Sequence, residues 1–442
     1  MLLLYERPYT KVFFRKVAEG LTVRENTCTI SEYKNCSDIW TSQYLYDKSL
    51  DLVSVCAPGV CDDIIRRCRT LRIMDQSRAR RIVQRTWAGI TKLFEQNDIN
   101  LVVTLSLDNY VIDIIMRVAE LKNCPVYSFL GSFHPGYARF TLRGEYNRLR
   151  SECGTDEVES LAQHLTDNNF LPELEAKSIK SNLLEVLKFY YRRAAIERLY
   201  YPMMKALTKD PDNARFNMLN LKGHAITDYI KPGWEKRFEH FSDISIDKAA
   251  TVYMPLHFCP EATTDYYTDR SPKLGYMNYI VDVVTKSDPD ILFLLKEHPS
   301  MYGKRLLKDY DRLQQLPNVR LLHPFDNSNE ILRNVDTVAV DNGTVGVEAV
   351  ARGKRVISLD RNYYSHIHKN IKMSEYISIE QLTEPLQDVD VYQIAEQLLQ
   401  GWIRSDYVHT RYQDKYDPAP IVATIKQLIN EGVCLGNDES QE

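Results

Sequence analysis

No apolar run in this chain approaches the roughly 20 residues needed to cross a bilayer, so a spanning helix is not expected. The start, MLLLYERPYTKVFF, offers three leucines before Tyr5 and Glu6 break the run, which is too short and too soon polar for a secretory leader. An excess of positive charge is also missing. The formal net charge is −4, so nothing in bulk would hold a nucleic-acid backbone, and no nucleic-acid partner is expected. Any anion site must therefore be local. The nine cysteines form no CxxC pair and no regular spacing. An odd, unpatterned set argues for reduced thiols over a disulfide frame, and no structural zinc site is expected. Repeats and low-complexity segments are absent, which excludes solenoids and compositionally biased linkers. The expectation left is a cytoplasmic globular protein, with peripheral association at a membrane face left open.

What is present is ample. At 442 residues, 44% of them hydrophobic, the chain has material for two cores. Its first part alternates strand and helix patterns. Met1 to Tyr5 reads as a strand, Lys11 to Leu21 as a helix, and Asp51 to Cys56 as a strand ended by Ala57-Pro58-Gly59. Arg78 to Asn97 carries Ile82, Val83, Trp87, Ile90 and Leu93 near helical spacing. Strands at Leu101 to Leu105 and Val126 to Leu130 flank a helix at Tyr110 to Lys122. Such strand–helix–strand units imply a parallel sheet with right-handed crossovers. From about residue 155 to 240 the strands fade, and Leu171 to Leu207 reads as one or two helices rich in Arg, Lys and Tyr, a helical insertion or connector. From Thr251 the alternation returns, through strands at Thr251 to Pro255, Ile291 to Lys296, Val319 to Leu322, Thr337 to Val340 and Arg355 to Leu359. Val391 to Leu399 and Ile421 to Asn430 read as helices, and the last seven residues as a disordered tail. The expected division is 1–154, 155–245, 246–390 and 391–442.

In open α/β sheets ligands bind beyond the carboxyl ends of the strands, and that rule sorts the polar residues. Lys296 and His298 follow a strand, and Pro299 biases His298 toward an extended backbone. Together they could neutralise a phosphate leaving group. Asn342-Gly343-Thr344 follows another strand and opens a short helix. Gly343 lets a ligand approach the backbone, Thr344 offers a hydroxyl and an N-cap, and unpaired N–H groups favour an anion there. Glu348, inside that helix, could accept from ribose hydroxyls, or simply sit well against the helix dipole. His257 and Glu261, after Thr251 to Pro255, could cover the donor base or sugar, or belong to a structural loop. In the first half, Asp108, His134 and Glu145 lie in or after strand-end loops and are the candidates for a general base acting on an acceptor hydroxyl. Asp288-Pro289-Asp290 imitates a metal motif but precedes its strand, and His366-Ile367-His368 lacks an evident third ligand, so no metal is expected. Arg192-Arg193 reads as a solvated helix face, with anionic lipid or glycan as the competing partner.

The runs PLHFCPEA, LLKEHPSMYGKR, LPNVRLLHP and DNGTVGVEAVARGKRVISLDRNYYS, in that order over roughly residues 250 to 370, resemble the capsule polysaccharide biosynthesis family, which includes bacterial Kdo transferases. The resemblance implies a GT-B glycosyltransferase: two Rossmann-like doubly wound domains facing a cleft, the nucleotide-sugar in the C-terminal one, and no metal or other cofactor. His298 would contact the donor phosphate, Gly343 and Thr344 would cradle it, and Glu348 would hold the ribose. Asn342 departs from the family's usual Ser or Thr. The resemblance further implies a nucleotide-sugar donor, CMP-linked by analogy, and a glycan or glycolipid acceptor. A CDP-alcohol phosphotransferase of teichoic-acid type, a sugar-nucleotide epimerase and a non-catalytic glycan assembly protein are the alternatives.

Overall fold

A computed structural model describes residues 1–7, 10–21, 27–33, 36–50, 56–141, 153–167, 188, 191–192, 195–208, 235–268, 275–301, 305–406 and 416–431. The chain packs as two compact units. The first comprises Met1–Ser151, Ala195–Leu219 and Gly401–Glu442, and the second Glu152–Ala194 and Asn220–Gln400. The strands, in chain order, are β1 (Leu2–Tyr5), β2 (Thr27–Ser31), β3 (Ile39–Trp40), β4 (Leu101–Leu105), β5 (Val126–Gly131), β6 (Tyr137–Phe140) and β7 (Thr251–Pro255). They continue as β8 (Leu292–Lys296), β9 (Val319–Leu322), β10 (Thr337–Val340), β11 (Arg355–Ser358), β12 (Ile371–Met373) and β13 (Trp402–Arg404).

The first unit is built on a sheet of order β13-β6-β5-β4-β1-β2-β3. β1 to β5 pair in parallel, while β6 and β13 are added antiparallel at one edge. β1 and β4 are buried along their whole length, as their unbroken apolar sequences require of strands covered on both faces. The helix Gln76–Gln96 buries Ile82, Val83, Trp87, Ile90 and Leu93, the stripe visible in the sequence, and Asp75 caps it by accepting from the Arg78 N–H. Asn109 caps Tyr110–Leu121 by accepting from the N–H groups of Val111 and Ile112. Each such cap stabilises its helix by about 1 kcal/mol.

Some expectations need correction. Pro58 and Gly59, expected in a turn, lie in a helix instead. Pro58 opens the helix Pro58–Arg67, where its fixed φ and missing N–H cost nothing. The strand expected just before it falls mainly on residues outside those described. The segment beyond 400, expected to hold only helices and a tail, supplies β13, which pairs Trp402 with Arg139 and Ile403 with Ala138. The two-residue β3 and three-residue β13 carry no readable alternation. Of the expected helical region, Thr155–Thr166 packs in the second unit against Val391–Leu399 and Val345–Ala351. The span expected to be helical, Leu171 to Leu207, lies largely outside the described residues.

The second unit has a six-stranded, wholly parallel sheet of order β12-β11-β10-β7-β8-β9. One face buries Val252, Met254, Phe293, Leu295, Ala339 and Ile357 against Ile280, Val283, Val284, Tyr310 and Leu313. Two doubly wound, parallel-rich α/β sheets in one chain are the fold class that the sequence led us to expect. No helix among the described residues is long and apolar enough to cross a membrane.

Candidate functional site

From β7 the chain of the second unit moves outward to β8 and β9. It then returns to place β10 on the other side of β7, and moves outward again to β11 and β12. The direction of winding therefore reverses between β7 and β10. In doubly wound sheets the ligand binds beside such a reversal, beyond the carboxyl ends of the two strands. The residues leaving β7 are Leu256 and His257, and those leaving β10 are Asp341, Asn342 and Gly343.

These two strand ends meet. The Asn342 N–H points to His257 Nε2 at 3.4 Å. A Cβ on Gly343 would lie 3.4 Å from His257 Cε1, in van der Waals contact with the imidazole. The Asn342 side-chain amide reaches the carbonyls of Thr263 and Tyr267, both at 3.4 Å, which ties the turn to the loop after β7. The His257 N–H donates to the Tyr276 hydroxyl at 2.8 Å. Burial, then the nearby Asp341 carboxylate, pushes that phenol well above its usual range and keeps it a neutral hydroxyl.

The end of β8 lies alongside. Lys296 and Glu297 are buried, and His298 is half-buried with its ring edge-on to Phe258 at 6.0 Å. Glu297 was not among the expected site residues, yet it organises this corner. Its carboxylate accepts from Arg305 Nε at 2.6 Å, from the Tyr310 hydroxyl at 2.8 Å and from the His298 N–H at 2.6 Å. Arg305 also donates to the His257 carbonyl and lies over the Tyr276 ring, 5.1 Å from its centroid. One buried guanidinium thus joins the loop after β7 to the loop after β8. Burial alone would favour its neutral form, but Glu297 and Tyr310 outweigh that and hold it protonated. The available sequence signal was a Glu and an Arg flanking His-Pro at the end of an apolar strand.

The turn after β10 is held from behind. The Tyr364 hydroxyl donates to the Gly343 carbonyl at 2.6 Å, and the Asn362 amide donates to the Asp341 carbonyl and to Ser358 Oγ, each at 2.8 Å. Tyr364 is fully buried, and Gly346 makes room for it: a Cβ on Gly346 would fall 2.4 Å from the Tyr364 hydroxyl. Neither residue was singled out by sequence reasoning. Thr344 occupies the cap position of Val345–Ala351, but its side chain makes no capping bond, contrary to the role expected of it; its own backbone is already helical. Glu348 is buried in the first turn of that helix. Glu261 opens the short helix Ala262–Asp265 and accepts from the Thr263 hydroxyl at 2.8 Å within its own turn. Asp288 and Asp290 form a turn ahead of β8, at the opposite edge of the sheet.

Residues 269–369 match the model of a family described as Capsule polysaccharide biosynthesis protein. The family resemblance of the sequence is borne out over that stretch. It contains Lys296, His298, Asn342, Gly343, Thr344 and Glu348, and also Glu297, Arg305 and Tyr364. His257 and Glu261 precede it. No curated protein matches. Among solved structures, a Thermosulfurimonas dismutans KpsC beta Kdo 2,7 transferase is 10% identical with a TM-score of 0.36, over 98% of this chain and 99% of that one. A beta Kdo 2,4 transferase KpsC of the same organism is 14% identical with a TM-score of 0.33, over 75% and 87%. The UDP-GlcNAc 2-epimerase of Neisseria meningitidis, bound to UDP-GlcNAc, is 14% identical with a TM-score of 0.25, over 97% and 99%. At such scores the fold rests on the strand order itself.

In the first unit the winding reverses between β1 and β4. Asp108, after β4, is gripped by Arg7, after β1: the guanidinium donates to both carboxylate oxygens, at 2.9 and 2.7 Å, and the Asn109 amide adds a third bond at 2.8 Å. Both carboxylate oxygens are thus already engaged. His134 is buried with its ring stacked on Tyr137 at 5.3 Å. Glu145 lies outside the described residues. Glu6, not considered from sequence, is fully buried at the end of β1, with Arg15 Nε 3.3 Å from one oxygen. Burial raises its pKa against the opposing pull of Arg15.

Proposed function

We propose that this chain is a glycosyltransferase that moves a sugar from a nucleotide-sugar to a surface or capsular polysaccharide acceptor. The observation that carries this reading lies in the second unit. His257 and the Asn342-Gly343 turn meet where its winding reverses, beside the buried corner that presents Lys296 and His298, and all but His257 fall in the matched stretch. That is where a doubly wound sheet binds a nucleotide. The Gly343 turn admits the donor phosphate, while Lys296 and His298 offset the negative charge that grows on the leaving nucleotide. Glu348 serves the ribose, His257 and Glu261 the rest of the donor. The acceptor hydroxyl gives up its proton to a general base, for which Asp108, His134 and Glu145 are the candidates. Of these, Asp108 is already engaged by Arg7. The donor we favour is CMP-linked, the acceptor a glycan or glycolipid, and the place of action the cytoplasmic face of a membrane.

The test is a thermal-shift panel with CMP, CDP, UDP and GDP. A ligand present at 100 times its Kd stabilises the folded state by about 2.7 kcal/mol. CMP or CDP should give the largest shift, and His298→Ala should abolish it. No shift with any nucleotide, or an equal shift in His298→Ala, would reject the site. Conversion of one nucleotide-sugar to its epimer without an acceptor would reject transfer.

A further inference from the structure

Three side chains at the outer edge of the second unit form a cluster that the donor site does not use, although two of them, His323 and Asp326, lie within the matched stretch. His323 follows β9, Asp326 follows three residues later, and His240 comes from the segment that runs beside β9. That segment is an extra edge. Glu239 bridges Leu322 in parallel, its N–H donates to the Leu321 carbonyl at 2.8 Å, and the His323 N–H donates back to the Glu239 carbonyl at 3.0 Å. The backbone pairing places the two imidazoles side by side, with ring centroids 4.8 Å apart. One ligand atom from each of His240, His323 and Asp326 lies within 4.8 Å of the others.

We propose that His240, His323 and Asp326 bind one zinc-class divalent transition ion, with water completing the shell, and that the ion clasps the Phe238–Asp243 segment to the free edge of β9. The donor set is two imidazoles and one carboxylate, which suits zinc, cobalt or nickel over magnesium or calcium. The carboxylate is already oriented. Asp326 Oδ2 accepts from the Phe241 N–H at 2.8 Å, which leaves Oδ1 facing His240 Nδ1, also at 2.8 Å. A backbone bond that fixes a ligating carboxylate is the usual support of a metal site. Without the ion, His240 Nδ1 and Asp326 Oδ1 share a hydrogen bond, whose place the ion would take. Ligand atoms in a tetrahedral zinc site stand about 3.3–3.5 Å apart, so closure asks for a side-chain movement of about an ångström. His240 is well exposed and can make it.

The probe is Zn²⁺, and separately Co²⁺, titrated into the metal-stripped full-length chain. We expect one saturable equivalent by calorimetry and visible ligand-field bands with Co²⁺. His240→Ala and His323→Ala should each weaken binding at least tenfold. Zn²⁺ should raise the Tm of the wild type and not that of His240→Ala. Because His240 is exposed, its alanine variant should fold, and an unchanged metal-free Tm would verify this. His368→Ala is the control: its imidazole is held by the Asn370 N–H and the Asp388 carbonyl elsewhere in the unit, so its titration should match the wild type. No saturable binding, binding unmoved by both ligand substitutions, or loss of the equivalent in His368→Ala instead would each overturn the site.

Discussion

Gly346→Ala tests whether the Asn342-Gly343 turn is held from behind by Tyr364. Gly346 lies in a regular helix, so an isolated-helix argument makes alanine an improvement of about 1 kcal/mol. The packing says otherwise. The added Cβ would meet the Tyr364 hydroxyl at 2.4 Å, Cε2 at 2.8 Å and Cζ at 2.9 Å, well inside van der Waals contact. These atoms belong to a fully buried ring and not to a flexible side-chain end, so the ring must move. Overpacking of this kind costs about 1–3 kcal/mol. Displacing the ring also breaks the 2.6 Å bond to the Gly343 carbonyl, worth about 1 kcal/mol. With the helix gain subtracted, the net loss is about 1–3 kcal/mol. Denaturant unfolding of the wild type, Gly346→Ala, Tyr364→Phe and the double variant measures it. Tyr364→Phe removes the atom nearest the new methyl, so the double variant should lose less than the two singles added together. Nucleotide binding should weaken in Gly346→Ala, because the Gly343 carbonyl loses its anchor. Stability equal to or above wild type in Gly346→Ala would refute the reasoning, as would strictly additive losses.

Glu297→Gln should destabilise the second unit by about 3–5 kcal/mol, because it leaves the buried Arg305 charge uncompensated. Circular dichroism in denaturant checks this, and a change of less than about 1 kcal/mol would show the pair to be solvated. Glu6→Gln should stabilise the protein at neutral pH. Burial, the dominant influence, raises the pKa of Glu6 in the folded state above its unfolded value, so whatever the protonated group contributes is present below the unfolded pKa and is lost as pH rises through the folded one. The advantage of Gln should therefore shrink on acidification toward pH 4, and an advantage independent of pH would exclude this cause.

The strands β4, β7, β8 and β10 could be read in the sequence because they are short apolar runs buried on both faces, and burial of that kind imposes composition directly. The helix Gln76–Gln96 was legible because its buried stripe recurs at helical spacing. The same logic placed Lys296, His298 and Asn342-Gly343-Thr344 at strand ends, since a residue after a parallel strand must lie on one edge of the sheet. Short edge pieces such as β3 and β13 escaped notice, because they are specified by their partners across the ladder and not by a pattern of their own.

By itself, the sequence determined the two parallel sheets, the edge on which the polar loops lie and the family character of residues 269–369, since each of these follows from local composition and order. Only the tertiary structure decided which loops meet. Strand order put His257 against Asn342, gave Glu297 and Arg305 the task of joining two strand ends, and brought Arg7 onto Asp108 across a hundred residues. The physical reason is that contacts between strand ends depend on the sheet's winding, and two loops distant in sequence carry no mark of adjacency until the strands beneath them pair.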